Sequence, residues 1–346
     1  MDYYLKCTKC GEVYNRHYDG QTCGKCGGLL EVVYKGKLPK IDGAYSFWDF
    51  KPILPKGIYK EFEVGLTKTI KGKEEGLYLK LEIENPTHSF KDRGSVIEVA
   101  KAHEYGYDEI VCASTGNMAY SLAYYAKAYG IKAKIFVSKN VSKDKMEYIR
   151  KTHDANVTKV DGDFSLAQKH AEKYAKRRNV FLTGDYCYRK EGQKTIAYEL
   201  NWHKFDNIIV PVGNATLISG ILKAIVEMKA SGSIKRVPKV IGVESESCKP
   251  LYDAFKSGKL KYEKPNTIAD AIAVGYPTFG MQAIELLKKL GGYMVTVSDK
   301  EMESEQNLFY QDYGLVAELA GVASLAAYKK LKPKGKTVAI ISGANV

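Results

Sequence analysis

Short apolar runs and longer amphipathic stretches take turns along most of this chain. From about residue 77, "GLYLKLEIE" reads as a strand. A helix is then expected to begin near Phe90 and run through Ile97, Val99 and Ala100 to Tyr105, with Gly106 as its C-terminal stop. "EIVCAS" predicts a second strand, which feeds Ser114-Thr115-Gly116-Asn117 and a helix ending at Gly130. "KAKIFV" is a strand, 142–152 a helix, "ANVTKV" a strand, 164–178 a helix and "VFLTG" a strand. Next come a helix at 192–202, the strand "NIIVPVG", a helix at 217–230 and the strand "KVIGVES". A helical segment near 279–290, the strand "GYMVTVS" and two further helices lead to a terminal strand, "TVAIISG". Such alternation predicts an α/β fold of open, mainly parallel sheets flanked by helices. Residues 35–57, with Pro39, Pro52, Pro55 and several glycines, read as an extended connector.

The first three dozen residues differ in character. Cys7-Thr-Lys-Cys10-Gly11 and Cys23-Gly-Lys-Cys26-Gly27-Gly28 are two CxxC knuckles separated by twelve residues. Two thiolate pairs on glycine-assisted turns suit a closed tetrahedral zinc site of the ribbon type, with Cys7, Cys10, Cys23 and Cys26 as ligands. With no ligand position left open, the metal is expected to be structural and to replace the core that so short a module lacks.

Composition narrows the class. A chain of 346 residues can bury a large core and suggests two domains, and its 45% hydrophobic and 27% charged content is that of an ordered globular protein. "MDYYLKCTKC" lacks a signal-peptide pattern and no apolar run approaches a bilayer span, so a cytoplasmic protein with no membrane partner is expected. Seven cysteines, four of them in the two knuckles, fit a reducing compartment better than a disulfide framework. The net charge of +13 favours anionic partners, but the lysines are spread along the chain, which reads as a solvated surface and not as a nucleic-acid stripe.

Candidate chemistry centres on "NPTHSFKDRG", Asn85 to Gly94. Pro86 is excluded from a helix interior, while Ser89 followed by Asp92 fits an N-cap with a capping box, which puts Lys91 in the first helical turn. The positive helix end and Arg93 both disfavour an ammonium there, as a Schiff-base lysine requires. Taken alone, "KDR" equally reads as solvated charge. Open parallel sheets bind ligands beyond the carboxyl ends of their strands. Ser114-Thr115-Gly116-Asn117 offers a nest for a carboxylate or phosphate, although the same residues are ordinary caps. Gly213-Asn214-Ala215-Thr216-Leu217 lets several N–H groups approach one phosphate, lacks the Lys-Ser/Thr of a triphosphate loop, and otherwise is a plain strand-to-helix turn. After the terminal strand, the Ser342 hydroxyl suits a neutral heteroaromatic nitrogen. A lysine for an imine, a turn for a monophosphate and a hydroxyl for a ring nitrogen are together the handles that pyridoxal 5′-phosphate requires.

These segments resemble the fold-type-II pyridoxal-phosphate enzymes and, within them, the threonine synthases. The resemblance rests on N-P-T-x-S-F-K-D-R-G, the cysteine ribbon, "STGN", "EGQKT" at Glu191–Thr195, "PVGNA" at Pro211–Ala215 and "VAELAGVASLAAY" at Val316–Tyr328. It implies a two-domain, tryptophan synthase β-like fold, usually dimeric, with the cofactor in the cleft between domains. The expected division is a ribbon at 1–36, a large cofactor-binding domain at 37–110 and 191–346, and a small mobile domain at 111–190. Residue by residue, Lys91 carries the cofactor and shuttles protons, and Asn117 bonds the phenolic oxygen. Gly213, Asn214, Ala215, Thr216 and Leu217 cradle the phosphate, and Ser342 meets the pyridine nitrogen. Ser114 and Thr115 hold the substrate carboxylate. Arg189 aligns with an arginine of the family's N-P-x-R-x-E-G stretch and becomes the candidate for the leaving phosphate, with a planar fork suited to a bidentate grip.

The implied reaction is conversion of O-phosphohomoserine and water to threonine and phosphate. The chain departs from the family where Tyr186-Cys187 replaces Asn-Pro, where Ala215 and its neighbours replace a second Gly and Asn, and where His88 replaces a usual glycine. A threonine or serine dehydratase, a β-replacement enzyme on O-phosphoserine (cysteate or cysteine synthase) and a zinc-ribbon nucleic-acid-binding protein are the alternatives.

Overall fold

The computed structural model describes residues 1–114, 116–139, 146–147, 149–150, 154–162 and 164–344. The chain divides into two compact units, one comprising Met1–Lys37, Lys51–Phe62 and Lys91–Gly192, the other Leu38–Phe50, Glu63–Phe90 and Gln193–Val346. Strands and helices are numbered below in chain order over the described residues.

The first unit opens with the ribbon, a three-stranded antiparallel sheet of β1 (Tyr3–Cys7), β2 (Val13–Asn15) and β3 (Leu30–Tyr34) in the order β2-β1-β3. Its second sheet is parallel and four-stranded, built from β6 (Glu109–Ala113), β7 (Lys132–Val137), β8 (Asn156–Lys159) and β9 (Phe181–Leu182) in the order β8-β7-β6-β9. Its helices include α1 (Lys91–Glu104), α2 (Asn117–Tyr129), α3 (Phe164–Arg178) and α4 (Cys187–Gln193). Helix α1 ends as its glycine predicts. Gly106 adopts φ +81°, and N–H groups of Gly106 and Tyr107 close back on the carbonyls of His103 and Ala102 at 3.1 and 3.0 Å, a Schellman ending. The helix expected at 142–152 lies mostly outside the described residues.

The second unit is organised by a six-stranded sheet of β4 (Thr69–Lys71), β5 (Leu77–Leu81), β10 (Asn207–Pro211), β11 (Lys239–Ser245), β12 (Tyr293–Val297) and β13 (Thr337–Ile341). The order is β12-β11-β10-β13-β5-β4, parallel throughout except for β4. The central strands β10 and β13 are buried at every position, which is why they read as unbroken apolar runs. Helices α5 (Thr195–Asn201), α6 (Thr216–Ser231), α7 (Pro250–Ser257), α8 (Gly280–Lys289), α9 (Asp299–Tyr313) and α10 (Leu319–Leu331) complete it. The small residues of "LAGVASLAAY" let α10 lie close on β10, β11 and β13, and the Ser324 hydroxyl donates to the Ile340 carbonyl at 2.7 Å.

Several expectations are corrected. The connector at 35–57 is not extended throughout: Phe47–Ile53 forms a 3₁₀ helix, because Phe47 and Phe50 are core residues and Phe50 stacks on Trp202 at 6.2 Å. The single helix at 192–202 is two, broken at Lys194, just past the Gly192/Gln193 division between the units. Strand β5 stops at Leu81 because Glu82 turns into the core to accept from Thr67 Oγ1 and Asn85 Nδ2 at 2.7 and 2.9 Å. By compactness the chain divides at Phe90/Lys91, with α1 packed on α2 and the ribbon in the same unit as both.

Helix α7 carries a start signal in Pro250 and a stop in Gly258 that the sequence reading did not use, and its start is also capped from a distance. Glu244, at the carboxyl end of β11, accepts the N–H groups of Leu251 and Tyr252 at 3.1 and 2.7 Å. Burial nevertheless pushes its carboxyl from 4.5 up to about 8, against the pull of those two bonds. The folded state therefore keeps a proton that the unfolded chain releases, so this contribution to stability is present at acid pH and is lost as pH rises through the folded value. Urea unfolding of Glu244→Gln between about pH 5 and pH 8 is expected to show a flatter fall in stability than the parent protein. Parallel pH profiles would contradict the assignment.

Candidate active site

The carboxyl ends of β5, β10 and β13 lie together along one edge of the six-stranded sheet, with Leu81 beside Ile341 in register. The segments that leave these three strands are the lysine motif, the glycine turn and Ser342. Ligand sites of open parallel sheets form at such an edge.

The lysine motif returns from β5 past the end of β13. Phe90 N–H donates to the Ser342 carbonyl at 3.0 Å, Ala344 N–H donates to His88 O at 2.9 Å, and Ser89 forms an antiparallel bridge with Gly343. Gly343 is itself held by the N–H of Glu318 at 3.0 Å, and Gly321 must lack a side chain because a Cβ would stand 2.4 Å from the Gly343 oxygen. Ser342, which is 4% exposed, thus pairs through main chain with Phe90. The predicted capping box does not form. Ser89 is committed to the bridge, its buried Oγ has no hydrogen-bond partner among the described residues, and Asp92 instead accepts from Ser121 Oγ at 2.5 Å. Asn85 is scaffold: its amide donates to Glu82 and its oxygen accepts from Gly65 N–H at 2.9 Å.

Lys91 is the first residue of α1 and is half-buried. The Asp92–Ser121 bond ties this first turn to α2, whose own first residue is Asn117. Ser114 follows β6; its N–H donates to Phe136 O at 3.1 Å and its Oγ accepts from Gly116 N–H at 3.4 Å. Thr115 lies outside the described residues.

Arg189, the candidate for the leaving phosphate, is engaged within the first unit. It is fully buried, its Nε donates to Gly184 O at 2.8 Å, and one terminal nitrogen meets both Ser95 Oγ, at 3.2 Å, and the Glu98 carboxylate. Its other terminal nitrogen donates to the Lys91 carbonyl at 3.4 Å. Both arms of the guanidinium thus meet partners inside the unit, where a bidentate grip on a leaving phosphate was expected of them. Glu98 was missed by sequence reading; its one signal is its spacing of seven from Lys91, which puts both on one helical face.

The glycine turn follows β10. Gly213 approaches the backbone of residues 270–272 so closely that a Cβ would stand 2.7 Å from Ala271 O. Asn214 Oδ1 accepts from the N–H and hydroxyl of Thr278 at 3.0 and 3.1 Å, so Asn214 braces the turn; Thr278 had no sequence signal. Ala215 sits at φ +63°, a left-handed conformation, and hands over to Thr216 and Leu217, the start of α6. The first-turn N–H groups of an α-helix have no acceptor within the helix and form an anion site. One turn further in, Ser219 Oγ is buried without a partner among the described residues. The departure noted at residue 215, and that at His88 with φ +57°, thus both fall on backbone positions that favour glycine.

The four knuckle cysteines converge. Their sulfurs all lie within 4.8 Å of one another, with Cys7–Cys26 at 3.5 Å and Cys10–Cys23 at 3.6 Å. Tetrahedral zinc thiolates are separated by about 3.8 Å, given Zn–S bonds of about 2.3 Å. The knuckles share one turn: Gly11 N–H donates to Cys7 O and Gly27 N–H to Cys23 O, at 3.1 and 2.8 Å, both glycines having positive φ.

A lysine at the start of one helix and a glycine turn leading into another are features that a pyridoxal-phosphate enzyme requires. Residues 64–343 match the family described as pyridoxal-phosphate dependent enzyme. The threonine synthase of Methanocaldococcus jannaschii is 35% identical over 95% of this chain and 88% of its own length, and that of Methanosarcina acetivorans is 34% identical over 96% and 88%. The solved structure of maize serine racemase superposes with a TM-score of 0.72 at 22% identity, covering 81% of this chain and 88% of that one, a likeness of fold. The chain therefore belongs to the pyridoxal-phosphate dependent enzymes and, within them, to the threonine synthases.

Removing the left-handed Cβ at residue 215 should help the fold. Ala215→Gly is expected to leave stability unchanged or raise it by up to about 1 kcal/mol, while Ala215→Val lowers it by about 2 kcal/mol, read as shifts in denaturant midpoint. A stabilised valine variant would show that the turn relaxes out of the left-handed region.

Proposed function

We propose that this protein converts O-phosphohomoserine and water to threonine and inorganic phosphate, with Lys91 as the catalytic base. The supporting observation is Lys91 at the start of α1 with Phe90 paired to Ser342. The residues present fit the cofactor: a glycine turn that a Cβ would fill, a helix start for the phosphate, and polar groups at Ser342 and the orphaned Ser89 hydroxyl. Gly213, Asn214, Ala215, Thr216 and Leu217 hold the phosphate, Asn117 the phenolic oxygen and Ser342 the pyridine nitrogen. The chemistry that pyridoxal 5′-phosphate supplies when bound is an electron sink for the pair left by the departing α-proton. Lys91 takes that proton at its Nζ and moves protons between the α, β and γ carbons as γ-phosphate leaves and water adds at Cβ. Ser114 and Thr115 orient the substrate by its carboxylate. A hydroxyl at residue 342 bonds the ring nitrogen without adding charge, where a carboxylate would hold it protonated.

In the same reading the four cysteines hold a structural zinc ion, the chain pairs as a homodimer, and it works in the cytoplasm, where its seven cysteines stay reduced. None of the described helices is long and apolar enough to cross a membrane. The diffuse basic surface is read as solvation and not as a nucleic-acid site.

Phosphate release from O-phosphohomoserine with threonine as co-product is the expected result of a screen against O-phosphohomoserine, O-phosphoserine, threonine and serine. Phosphate from O-phosphoserine with sulfite or sulfide, or 2-oxoacid from threonine, would replace this reaction by another of the same cofactor. Borohydride is expected to fix the chromophore to the Lys91 peptide, and Lys91→Ala to lose turnover; a variant that keeps turnover sinks the mechanism.

One zinc per chain is expected by metal analysis. Chelation should lower the melting temperature, because closing the ribbon contributes folding free energy. A metal-free preparation of equal stability would remove the structural zinc.

A further inference from the structure

Helix α4 is seven residues long, and five consecutive residues of it each make a distinct attachment within the first unit. Tyr188 places its hydroxyl 3.1 Å from that of Tyr3 in the ribbon and 2.7 Å from that of Tyr105 just past α1. Arg189 points into α1. Lys190, 3% exposed, pairs with Glu31 of β3, and Glu191, fully buried, accepts from the Tyr34 hydroxyl of the same strand. Gly192 lies so close to α1 that a Cβ would stand 1.8 Å from the Arg93 carbonyl oxygen.

The α1 side of this arrangement is a single stripe. Lys91, Ser95 and Glu98 are spaced i, i+4 and i+7 and share one helical face, and Arg189 meets all three, the lysine through its main-chain carbonyl. Gly94 opens the space: a Cβ there would stand 2.6 Å from Arg189 Cγ. Burying this ion pair carries a desolvation cost that apolar side chains would avoid, so its use is geometric: a charged fork fixes the rotation of α1 about its axis. Lys101 repeats the device one turn from the helix end, bonded to Glu104 and Lys56 O at 2.6 Å within reach of the rings of Tyr3, Tyr105 and Tyr188.

We propose that α4 is a positioning element for Lys91: Arg189 holds the first turns of α1, and the ribbon, through Glu31–Lys190 and Tyr34–Glu191, holds α4. The ribbon then contributes to the reaction without touching substrate. This rests on the cofactor reading of Lys91 and is independent of which amino acid is transformed. It also gives Arg189 a role other than phosphate ligand.

The test uses the full chain and reads backbone order besides turnover. In Lys190→Met and Tyr34→Phe, hydrogen exchange of the amides of residues 92–95 is expected to quicken on the order of tenfold in the cofactor-free protein. In the loaded enzyme kcat should fall on the order of tenfold with KM little changed, since small misplacements of a reacting group cost that much. Lys190→Arg should restore both readings. Unchanged exchange at 92–95 alongside a lower melting temperature would reduce these contacts to packing and overturn the proposal. So would Arg189→Lys raising KM for a phosphorylated substrate while exchange stays the same, because that is the signature of a phosphate ligand. If Lys190→Met does not fold, Tyr34→Phe carries the same two readings. Failure of every phosphorylated substrate would dismiss the threonine synthase reaction and leave the exchange measurement intact.

Discussion

Main-chain hydrogen bonds between His88–Phe90 and Ser342–Ala344 hold the segment before Lys91 on the end of β13. They follow from sheet order. Because β5 and β13 are parallel neighbours, a chain leaving β5 and folding back must cross the end of β13, and the free N–H and carbonyl groups there need partners. Phe90, paired with Ser342, is thereby fixed at the end of the sheet by main-chain geometry.

A second constraint acts on the rotation of α1. The backbones of Gly94 and Gly192 leave no room for side chains, and between them the Arg189 fork reaches Ser95 and Glu98. Glu98 is pushed up to about 7 by burial, against the pull of the Arg189 charge and the Gly184 N–H. Close packing of backbone and a buried ion pair are costly ways to join two helices, and both are short-ranged and directional. They suit a joint that must hold an orientation more than they suit one that only adds stability.

The turn around the proposed phosphate is strained in a different way. Ala215 and His88 occupy left-handed backbone without the relief of glycine, each held by surrounding hydrogen bonds. Non-glycine residues in such conformations persist where neighbouring structure over-determines them. The bonds from Thr278 to Asn214 and from His88 Nδ1 to Ile83 O are the local restraints that do so.

Local pattern determined the order of strands and helices, the stop at Gly106, the helix at 164–178, the two cysteine knuckles and the turns that hold Asn117, Gly213 and Ser342. These are short-range consequences of hydrophobic period, glycine dihedrals and spacing, which survive any arrangement of the rest. Only tertiary structure decided that Ser89 bridges Gly343 in place of capping α1, that the connector at Phe47 is core, and that α7 is capped by Glu244. It alone decided the fate of Arg189, whose partner Glu98 lies 91 residues away and becomes its neighbour only when α1 and α4 pack. A guanidinium looks the same in sequence whether it faces a phosphate or a buried carboxylate; burial and the partner it meets distinguish them, and both are properties of the fold.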